Sequence, residues 1–552
     1  MTYSSVGNTD SSFQALVPDG GVLGGRYLTD IGIRTSILQT ACLCAAHTWP
    51  FLLPQPGQSN MGRMPESHQS IGARGLTNWV GKALSVYYPA DAPFARFTPA
   101  PKIMYDPSVP DDVKNKLTKA LYADTLTLMA LMEGAYLDDD SGRHKRPISF
   151  RGRMGYSMAQ LFATGDTLER MTPDFRVQVY RRDQYVTRRD SCGDVLYHGV
   201  IELIDPMDEL DGKEREKCKL PKDAALKKMP TADRMKPLTT FCDWQPWTKK
   251  WVTKQEVNGI IFNESEDPVS PFCSVPMHLV GGEHYGRGLV ETSWLPDLRS
   301  YNTIMLRLLE WAALAAKKNP IIDPTSELTE EDLKVESGVP IYGRVRDGKA
   351  QDIGWTGVES LADFKVVEST ANRLYADLAK SMLIESEVTP SKERTTAYQV
   401  SRIAAEIDGA TGGNGESIGE ESHIPKIRYF AHQARLQGIL PTPKKAKDRH
   451  IKIEIISGMA AIARQNKVQD VLEIVDVLSR LGPEGVSEID IGVLADILTR
   501  YRNVNEPGFI KSPEKKAAEL KAAEASQIRQ QAAQQAIQSS GSIAENALSF
   551  QQ

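Results

Sequence analysis

Apolar side chains recur at helical spacing along several long stretches of this chain, and at strand spacing along one. Over residues 28–48, Ile33, Ile37, Ala41, Cys44 and Ala45 fall on one stripe, which predicts a helix ended by Pro50 and Pro54. A second helix is predicted over 76–86, stopped by Pro89 and Pro93. A third fits 110–136, where Val113, Leu117, Leu121, Leu128 and Met132 share a face that Thr125 interrupts. Asp111 or Asp112 can cap its start. The character changes near residue 174. PDFRVQVYRRDQYVTRRD and CGDVLYHGVIELI carry the β-branched and aromatic enrichment of strands, with a turn at Gly193-Asp194. Residues 206–237 are charged and Lys-rich and read as an exposed insertion or flexible loop. Strands return at 239–244 and 250–262. The mostly β stretch 174–280 inside a helical chain predicts an α+β protein, not alternating β-α-β units.

Helix dominates again from Leu295. Ile304, Leu308, Trp311 and Ala315 line one face of a helix over 297–318, before Pro320. IIDP, VPIYGRV and AQDIGW follow as short strand candidates. A second long helix fits 360–384, where Leu361, Phe364, Val367, Ala371, Leu374, Leu378 and Met382 recur every three or four positions. At 1.5 Å per residue it is about 37 Å long. Two long helices around a small β insert make a hairpin with a decorated tip. Beyond a loop at 385–394, helices fit 396–407, 423–437, 457–481 and 490–501, with the Gly-rich GATGGNG after the first. Residues 1–20 read as a loose polar arm. From Ser512 the Ala, Gln, Lys and Glu composition suits solvated helix to Gln538, with 539–552 disordered. No repeat of 20–50 residues is visible in the sequence.

Composition narrows the class. The chain has 552 residues, 41% hydrophobic and 25% charged, which excludes a disordered chain, a collagen or a disulfide-stapled miniprotein. With 66 basic and 71 acidic residues the formal charge is −5, so any DNA contact has to be local and not a coat of bulk charge. Six cysteines without paired spacing point to the reduced cytosol. MTYSSVGNTDSSF has neither a basic n-region nor an apolar core, so no signal peptide is expected. Residues 35–62 carry no formal charge, yet Gln39, His47, Pro50, Pro54, Pro56 and Gln58 break them up, so no membrane span is expected.

Motifs for chemistry fail one by one. GESIG at 415–419 matches G-x-S-x-G with Ser417 as nucleophile, but that elbow needs a preceding strand, and GATGGNG precedes it. It reads as a polar loop. GLTNWVGKA at 75–83 has one residue too many for a phosphate loop and Ala83 where a magnesium-binding hydroxyl belongs, and it reads as helix. Cys42 and Cys44 point to different faces of a helix. Asp138, Asp139 and Asp140 lack the later ligands of a calcium loop. His144, Lys145 and Arg146 read as a solvated turn. No catalytic residue, metal or cofactor is therefore expected, and a structural or binding protein is favoured over an enzyme.

Three segments stand in a telling order: PFLLPQPG from Pro50 leading to QSIGARGLTNWVGKAL from Gln69, EHYGRGLVETSWLPDLRS from Glu283, and ERTTAYQVSRIAAEIDGATGG from Glu393. With this length and order the chain resembles the portal (head-to-tail connector) proteins of short-tailed bacteriophages, from about residue 26 to about residue 510 with gaps. The 206–237 insertion and the Ala/Gln tail are not covered. The resemblance implies an α+β portal-type fold: a flexible arm at 1–25, and a wing at 26–296, helical over 26–173 and mostly β over 174–280. Stem helices at 297–318 and 360–384 carry an α/β clip at 319–359. A channel loop and return wing helices follow at 385–456, a helical crown at 457–511 and the tail at 512–552. It implies a ring, usually of twelve subunits, at one capsid vertex of the virion, assembled in the host bacterial cytoplasm. Double-stranded DNA passes through the ring during packaging and ejection. The implied partners are the major capsid protein and scaffold, the terminase large subunit, the tail adaptor and internal core proteins, with no membrane. Gly72, Arg74, Gly75, Tyr285, Gly286, Arg287 and Gly288 are the motif positions and read as structural, the two arginines bonding carbonyls or carboxylates near a Gly turn. Lys392 and Arg394 are the residues expected to face channel DNA. Glu327, Glu330, Glu331, Asp332 and Glu336 offer either a docking face for a basic partner or the solvated start of a helix capped by Thr329. Another phage ring or adaptor protein, and a hydrolase using Ser417, stand as the alternatives.

Overall fold

A computed structural model of the chain describes residues 68–89, 93–104, 106, 108–134, 149–316, 319–322, 345–346, 349–350, 353–356, 361–384, 397–411, 415–440, 451–456 and 459–480, with isolated helical positions beyond. The 1–25 arm, the 28–48 helix, Cys42 and Cys44, Asp138 to Asp140, the basic turn at 144–146 and residues 539–552 lie outside the described residues. The described part falls into two compact units, one within 1–107 and 123–459, the other within 108–122 and 460–552.

Helix α1 (Ile71–Tyr87) starts five residues before the periodic stripe suggested. The Gln69 side chain accepts from the Gly72 backbone N–H at 2.9 Å and extends the helix backwards. The strand β1 (Ala95–Pro99) precedes α2 (Asp111–Met132), whose first half belongs to the second unit. Thr125, the break in the apolar stripe of α2, is buried, and its hydroxyl accepts from the Phe97 N–H of β1 at 3.0 Å. The polar residue is a tie to the strand. Helix α3 (Phe150–Thr164) has a weak apolar period and is marked in sequence by its ends. Ser149 accepts from the Gly152 N–H, and Gly165 closes the helix in the left-handed conformation at φ 85°.

After β1, the mostly β region begins at residue 166, ahead of the change in composition at 174. β2 (Asp166–Met171) lies between β3 (Val177–Tyr180) and β9 (Phe272–Pro276) in an antiparallel sheet. β4 (Tyr185–Arg189), β5 (Val195–Ile204), β6 (Lys236–Gln245), β7 (Lys250–Val257) and β8 (Ile260–Asp267) form a five-stranded antiparallel meander. The predicted single strand over 250–262 is two strands. Asn258 and Gly259 both take positive φ, 52° and 74°, and make the two-residue turn that matches the right-handed twist of a hairpin. Leu168, Tyr180 and Phe272 of the smaller sheet share one core with Tyr185, Val200 and Cys242 of the larger, closed by Tyr285.

The 206–237 stretch corrects the reading of a flexible loop. It folds as short helical turns, Pro206–Glu209, Gly212–Lys217, Asp223–Leu226 and Thr231–Arg234. Leu210 and Cys218 bury against Ile204, Leu238 and Val257 of the sheet, and the Arg234 guanidinium meets the Asp205 carboxylate at 2.6 Å. The few apolar residues among the lysines carry the packing; charge density alone did not reveal them.

A π turn, Val290–Trp294, leads directly into α4 (Leu295–Ala316). β10 (Asn319–Ile322), β11 (Val345–Arg346), β12 (Lys349–Ala350) and β13 (Ile353–Thr356) form two antiparallel pairs, β10 with β13 and β11 with β12. Pro320 thus belongs to a strand. Helix α5 (Leu361–Ser381) returns antiparallel to α4: Trp311 stacks on Phe364 at 4.5 Å and Tyr301 meets Tyr375 at 6.3 Å. Burial falls along this hairpin. Leu298, Leu378 and Met382 are buried near its base, whereas Leu309 and Val366 are 53% and 65% exposed nearer the tip. Then come α6 (Ala397–Ala410), α7 (Gly415–Leu436) and β14 (Ile451–Ile455), which pairs antiparallel with β1. α8 (Met459–Arg480) enters the second unit. No helix among the described residues is long and apolar enough to cross a membrane.

Candidate functional site

The segment Tyr285-Gly286-Arg287-Gly288, on the approach to α4, packs backbone against backbone on the end of α3. The Gly165 carbonyl accepts from the Met277 N–H at 2.9 Å, and the Arg287 N–H donates to the His278 carbonyl at 2.9 Å. A Cβ at Gly288 would lie 2.7 Å from the Gly165 nitrogen and 2.8 Å from the Ala163 oxygen. The chain can come this close only without side chains there. The Tyr285 hydroxyl accepts from the Thr187 N–H at 2.9 Å, and the Arg182 guanidinium lies 4.4 Å over its ring. Beneath, the buried Asp166 carboxylate accepts from the Tyr185 hydroxyl at 2.8 Å. Burial raises the Asp166 pKa, and Arg182 and Arg189 oppose that rise without cancelling it. The Arg287 side chain points outward and pairs with Glu283 at 2.5 Å.

A second junction joins α1 to the end of α5. Gly75, Asn78 and Lys82 recur at three and four residues, so they lie on one face of α1. Gly75 sits against Met382: a Cβ there would be 2.8 Å from the Met382 Cβ. Asn78 donates its amide to the Met382 and Leu383 carbonyls at 3.2 and 2.6 Å. The Lys82 ammonium donates to the Leu383 carbonyl at 3.1 Å and pairs with Glu406 of α6 at 3.5 Å. Leu383 takes φ 54°, and the Ile384 N–H returns to the Ala379 carbonyl at 2.9 Å, the left-handed ending usually given to glycine. Two helix-end carbonyls thus meet donors from α1, one of them a cation at the negative end of the α5 dipole. Burial lowers the Lys82 pKa and Glu406 pulls the other way.

A third cluster is fully buried. The Lys426 ammonium of α7 meets the Glu169 carboxylate of β2 at 2.5 Å, with both side chains 0% exposed. It also donates to the Ser422 carbonyl and hydroxyl at 2.7 Å and to the Tyr88 hydroxyl at 3.2 Å. The Ser157 hydroxyl donates to the other Glu169 oxygen. Burial lowers the Lys426 pKa, and Glu169, Tyr88 and Cys273 outweigh it, so the net shift is upward and the lysine stays charged. Burial pushes the neighbouring His423 down to about 3, with Lys426 adding to the effect, which keeps that imidazole neutral. The preceding Pro425 lies inside α7 and has no N–H for the Glu421 carbonyl. The Cys273 thiol donates to that oxygen at 3.4 Å.

These junctions place the expected residues as follows. Gly72 and Gly75 are buried in α1 and Arg74 is exposed on it. Tyr285, Gly286, Arg287 and Gly288 form one backbone joint elsewhere in the same unit. Lys392, Arg394, Glu327, Glu330, Glu331, Asp332 and Glu336 lie outside the described residues. Ser417 falls in the first turn of α7, where the sequence suggested a polar loop, and the element before it is the helix α6. Among the described residues the element that precedes it is thus a helix, where a nucleophile elbow has a strand. Among the described residues no three His, Cys, Asp or Glu side chains are grouped to hold a metal. Asn78 and Lys82 were missed in sequence, although their spacing of three and seven residues from Gly75 on one helix face is a readable signal. Lys426 and Glu169, 257 positions apart, offer no such signal.

The sequence profile of the family described as bacteriophage head to tail connecting protein matches residues 227–508. The chain is 24% identical to the portal protein of Enterobacteria phage T3, over 86% of this chain and 85% of that one. It is 23% identical to the portal protein of Escherichia phage T7, over 86% of each. Among solved structures, the neck of an empty GTA particle matches 85% of this chain and 98% of that chain at 10% identity, with a TM-score of 0.31.

Proposed function

The chain belongs to the bacteriophage head to tail connecting protein family, and on that premise we propose that it is a portal subunit, one of a closed ring at a single capsid vertex of the virion. The ring passes double-stranded DNA and docks the packaging motor and tail parts. Similarity over most of both chains to relatives that are portal proteins supports this reading. The observation that carries it is the α4–α5 hairpin, whose tip half leaves Leu309, Val366 and Val367 exposed on both helices. A head-to-tail ring needs two different complementary surfaces per subunit, and a lone subunit leaves such faces bare. In this reading the wing is 26–296, the stem helices are 297–318 and 360–384, and the clip is 319–359. The channel loop and return helices are 385–456, the crown 457–511 and the tail 512–552. The partners are the capsid protein and scaffold, the terminase large subunit, the tail adaptor and internal core proteins, with assembly in the host cytoplasm.

The test is native mass with electron microscopy of the same peak. Twelve copies of the 61.1 kDa chain give about 730 kDa in a ring with a central hole. A monomer at every salt and protein concentration overturns the reading.

Lys392 and Arg394 are the DNA-facing residues in this proposal, because a channel that must let DNA slide keeps few phosphate contacts. The acids Glu327, Glu330, Glu331, Asp332 and Glu336 dock a basic partner. One pair of variants separates the two roles. Lys392→Ala with Arg394→Ala leaves rings intact and alters packaging or DNA retention; charge reversal at the acids leaves rings intact and weakens motor or adaptor binding. Unchanged packaging and retention in the first, or unchanged binding in the second, removes the corresponding role.

A further inference from the structure

The folded insert at 206–237 turns its arginines inward and its lysines outward. Between residues 213 and 228 seven basic residues stand against three acids, a local balance of +4 in a chain of net charge −5. Two of those acids are engaged within the insert. The Glu214 carboxylate accepts from the Asp211 N–H at 2.9 Å, and Asp223 pairs with Arg215 at 3.2 Å. Arg215 also donates to the Pro206 carbonyl at 3.1 Å, and Arg234 meets Asp205 at 2.6 Å. Lys213, Lys217, Lys219, Lys222, Lys227 and Lys228 are all exposed, and none of these six ammonium groups has an acid partner among the described residues. Beneath them Leu210, Cys218 and Leu226 are buried, so a packed element presents the charge. Lys213 and Lys217 stand four apart on one helix face. Lys219 takes φ 51°, the left-handed helix ending usually given to glycine.

The residue types narrow the partner. The cores of protein interfaces favour aromatic side chains and arginine and are poor in lysine. Residues 206–237 contain no aromatic side chain, and both their arginines are already engaged. Nothing here can stack on a base or fill an apolar pocket of a protein partner. Bare lysines suit a phosphate backbone, which they meet as point charges without reading sequence. The chain as a whole is acidic, so a DNA contact has to be local, and this is a local excess of cations. The family profile starts at residue 227, so it leaves most of the insert uncovered.

We propose that the lysine face of the 213–228 insert is a docking surface for the phosphate backbone of double-stranded DNA, bound without sequence preference. The choice of DNA among polyanions rests on the portal reading above; the surface itself rests on the six lysines.

The experiment measures binding of the full chain to short DNA duplexes of two unrelated sequences over a range of salt. The patch variant carries Lys219→Gln, Lys222→Gln and Lys227→Gln together. The control carries Lys102→Gln, Lys119→Gln and Lys249→Gln, the same loss of charge at exposed lysines elsewhere. Wild type is expected to bind both duplexes alike. The patch variant is expected to bind about tenfold or more weakly at about 0.1 M salt, with a salt slope shallower by about 3, while the control keeps wild-type affinity. Arginine at the same three patch positions keeps the binding. Equal loss in patch and control variants, or no loss in either, overturns the proposal. So does poly-glutamate that competes as well as duplex DNA at equal charge, which would give the surface to an acidic protein. Should the triple variant melt below wild type, Lys222→Gln alone takes its place, with a slope lower by about 1, and an unchanged slope overturns the proposal. Failure of the portal reading would show differently, as a wild-type chain that forms no ring whatever its affinity for DNA.

Discussion

Lys426→Met will destabilise the chain by about 3–5 kcal/mol, as expected when one partner of a buried ion pair is removed. The lysine and Glu169 are both 0% exposed and 2.5 Å apart. Without the ammonium, Glu169 keeps the Ser157 hydroxyl at 2.5 Å and a buried negative charge with no cation beside it. The Tyr88 hydroxyl, held at 2.6 Å by the Ser422 hydroxyl, loses its positive neighbour as well. The cost is therefore that of an uncompensated charge, and removing the charge should recover much of it. Lys426→Met with Glu169→Leu is expected to be clearly more stable than Lys426→Met alone. Urea midpoints of the unassembled wild type, both single variants and the double variant measure this. A double variant as unstable as the sum of the singles would show that Ser157, Ser422 and Tyr88, not the isolated pair, carry the energy.

That cluster also shows where the sequence stops being legible. Helical and strand periods located most long elements, because each element buries one face and the period is set by that face. The hairpin of α4 and α5 was readable for this reason, down to Trp311 and Phe364 sharing the inner stripe. Boundaries were lost where a side chain far from the period decides them. Gln69 extends α1 backwards, and Ser149 with Gly165 delimits α3, whose own period is weak. Asn258-Gly259 was a readable hairpin signal, and the run of strand formers on both sides hid it. Charge density hid the Cys218 core. Of the junctions, Tyr285 to Gly288 stood out as a motif, and its backbone contact with Gly165 could not, since the partner lies more than a hundred residues earlier and is also a glycine. The Lys82 clamp was half legible, as polar residues on a helix stripe without their partners. Lys426 and Glu169 were each unremarkable, because long-range charge pairing leaves no local pattern.

Gly286→Ala is the second large effect expected, about 3 kcal/mol or more of stability. A Cβ at this position would press on the Gly165 carbonyl oxygen and lie 2.7 Å from the Met277 nitrogen and 3.0 Å from the Pro276 Cα. The Met277 N–H and the Gly165 carbonyl are themselves hydrogen-bonded at 2.9 Å, so the methyl would drive into the bond that ties β9 to the end of α3. All three neighbours are backbone atoms, and no rotamer change relieves them. Movement of the segment instead would pull Tyr285 from the Thr187 N–H and from beneath Arg182. Because the same segment leads through Val290–Trp294 into α4, the base of the hairpin would shift with it. Gly81→Ala is the control within the same unit. A Cβ at Gly81 meets nothing within 4 Å, and alanine in a helix interior is better than glycine by about 0.5–1 kcal/mol, so that variant is expected to be neutral or more stable. Thermal melts of the two variants beside wild type decide the matter. If Gly286→Ala melts with wild type, the joint tolerates a methyl and the glycine is not what holds the approach to α4 in place.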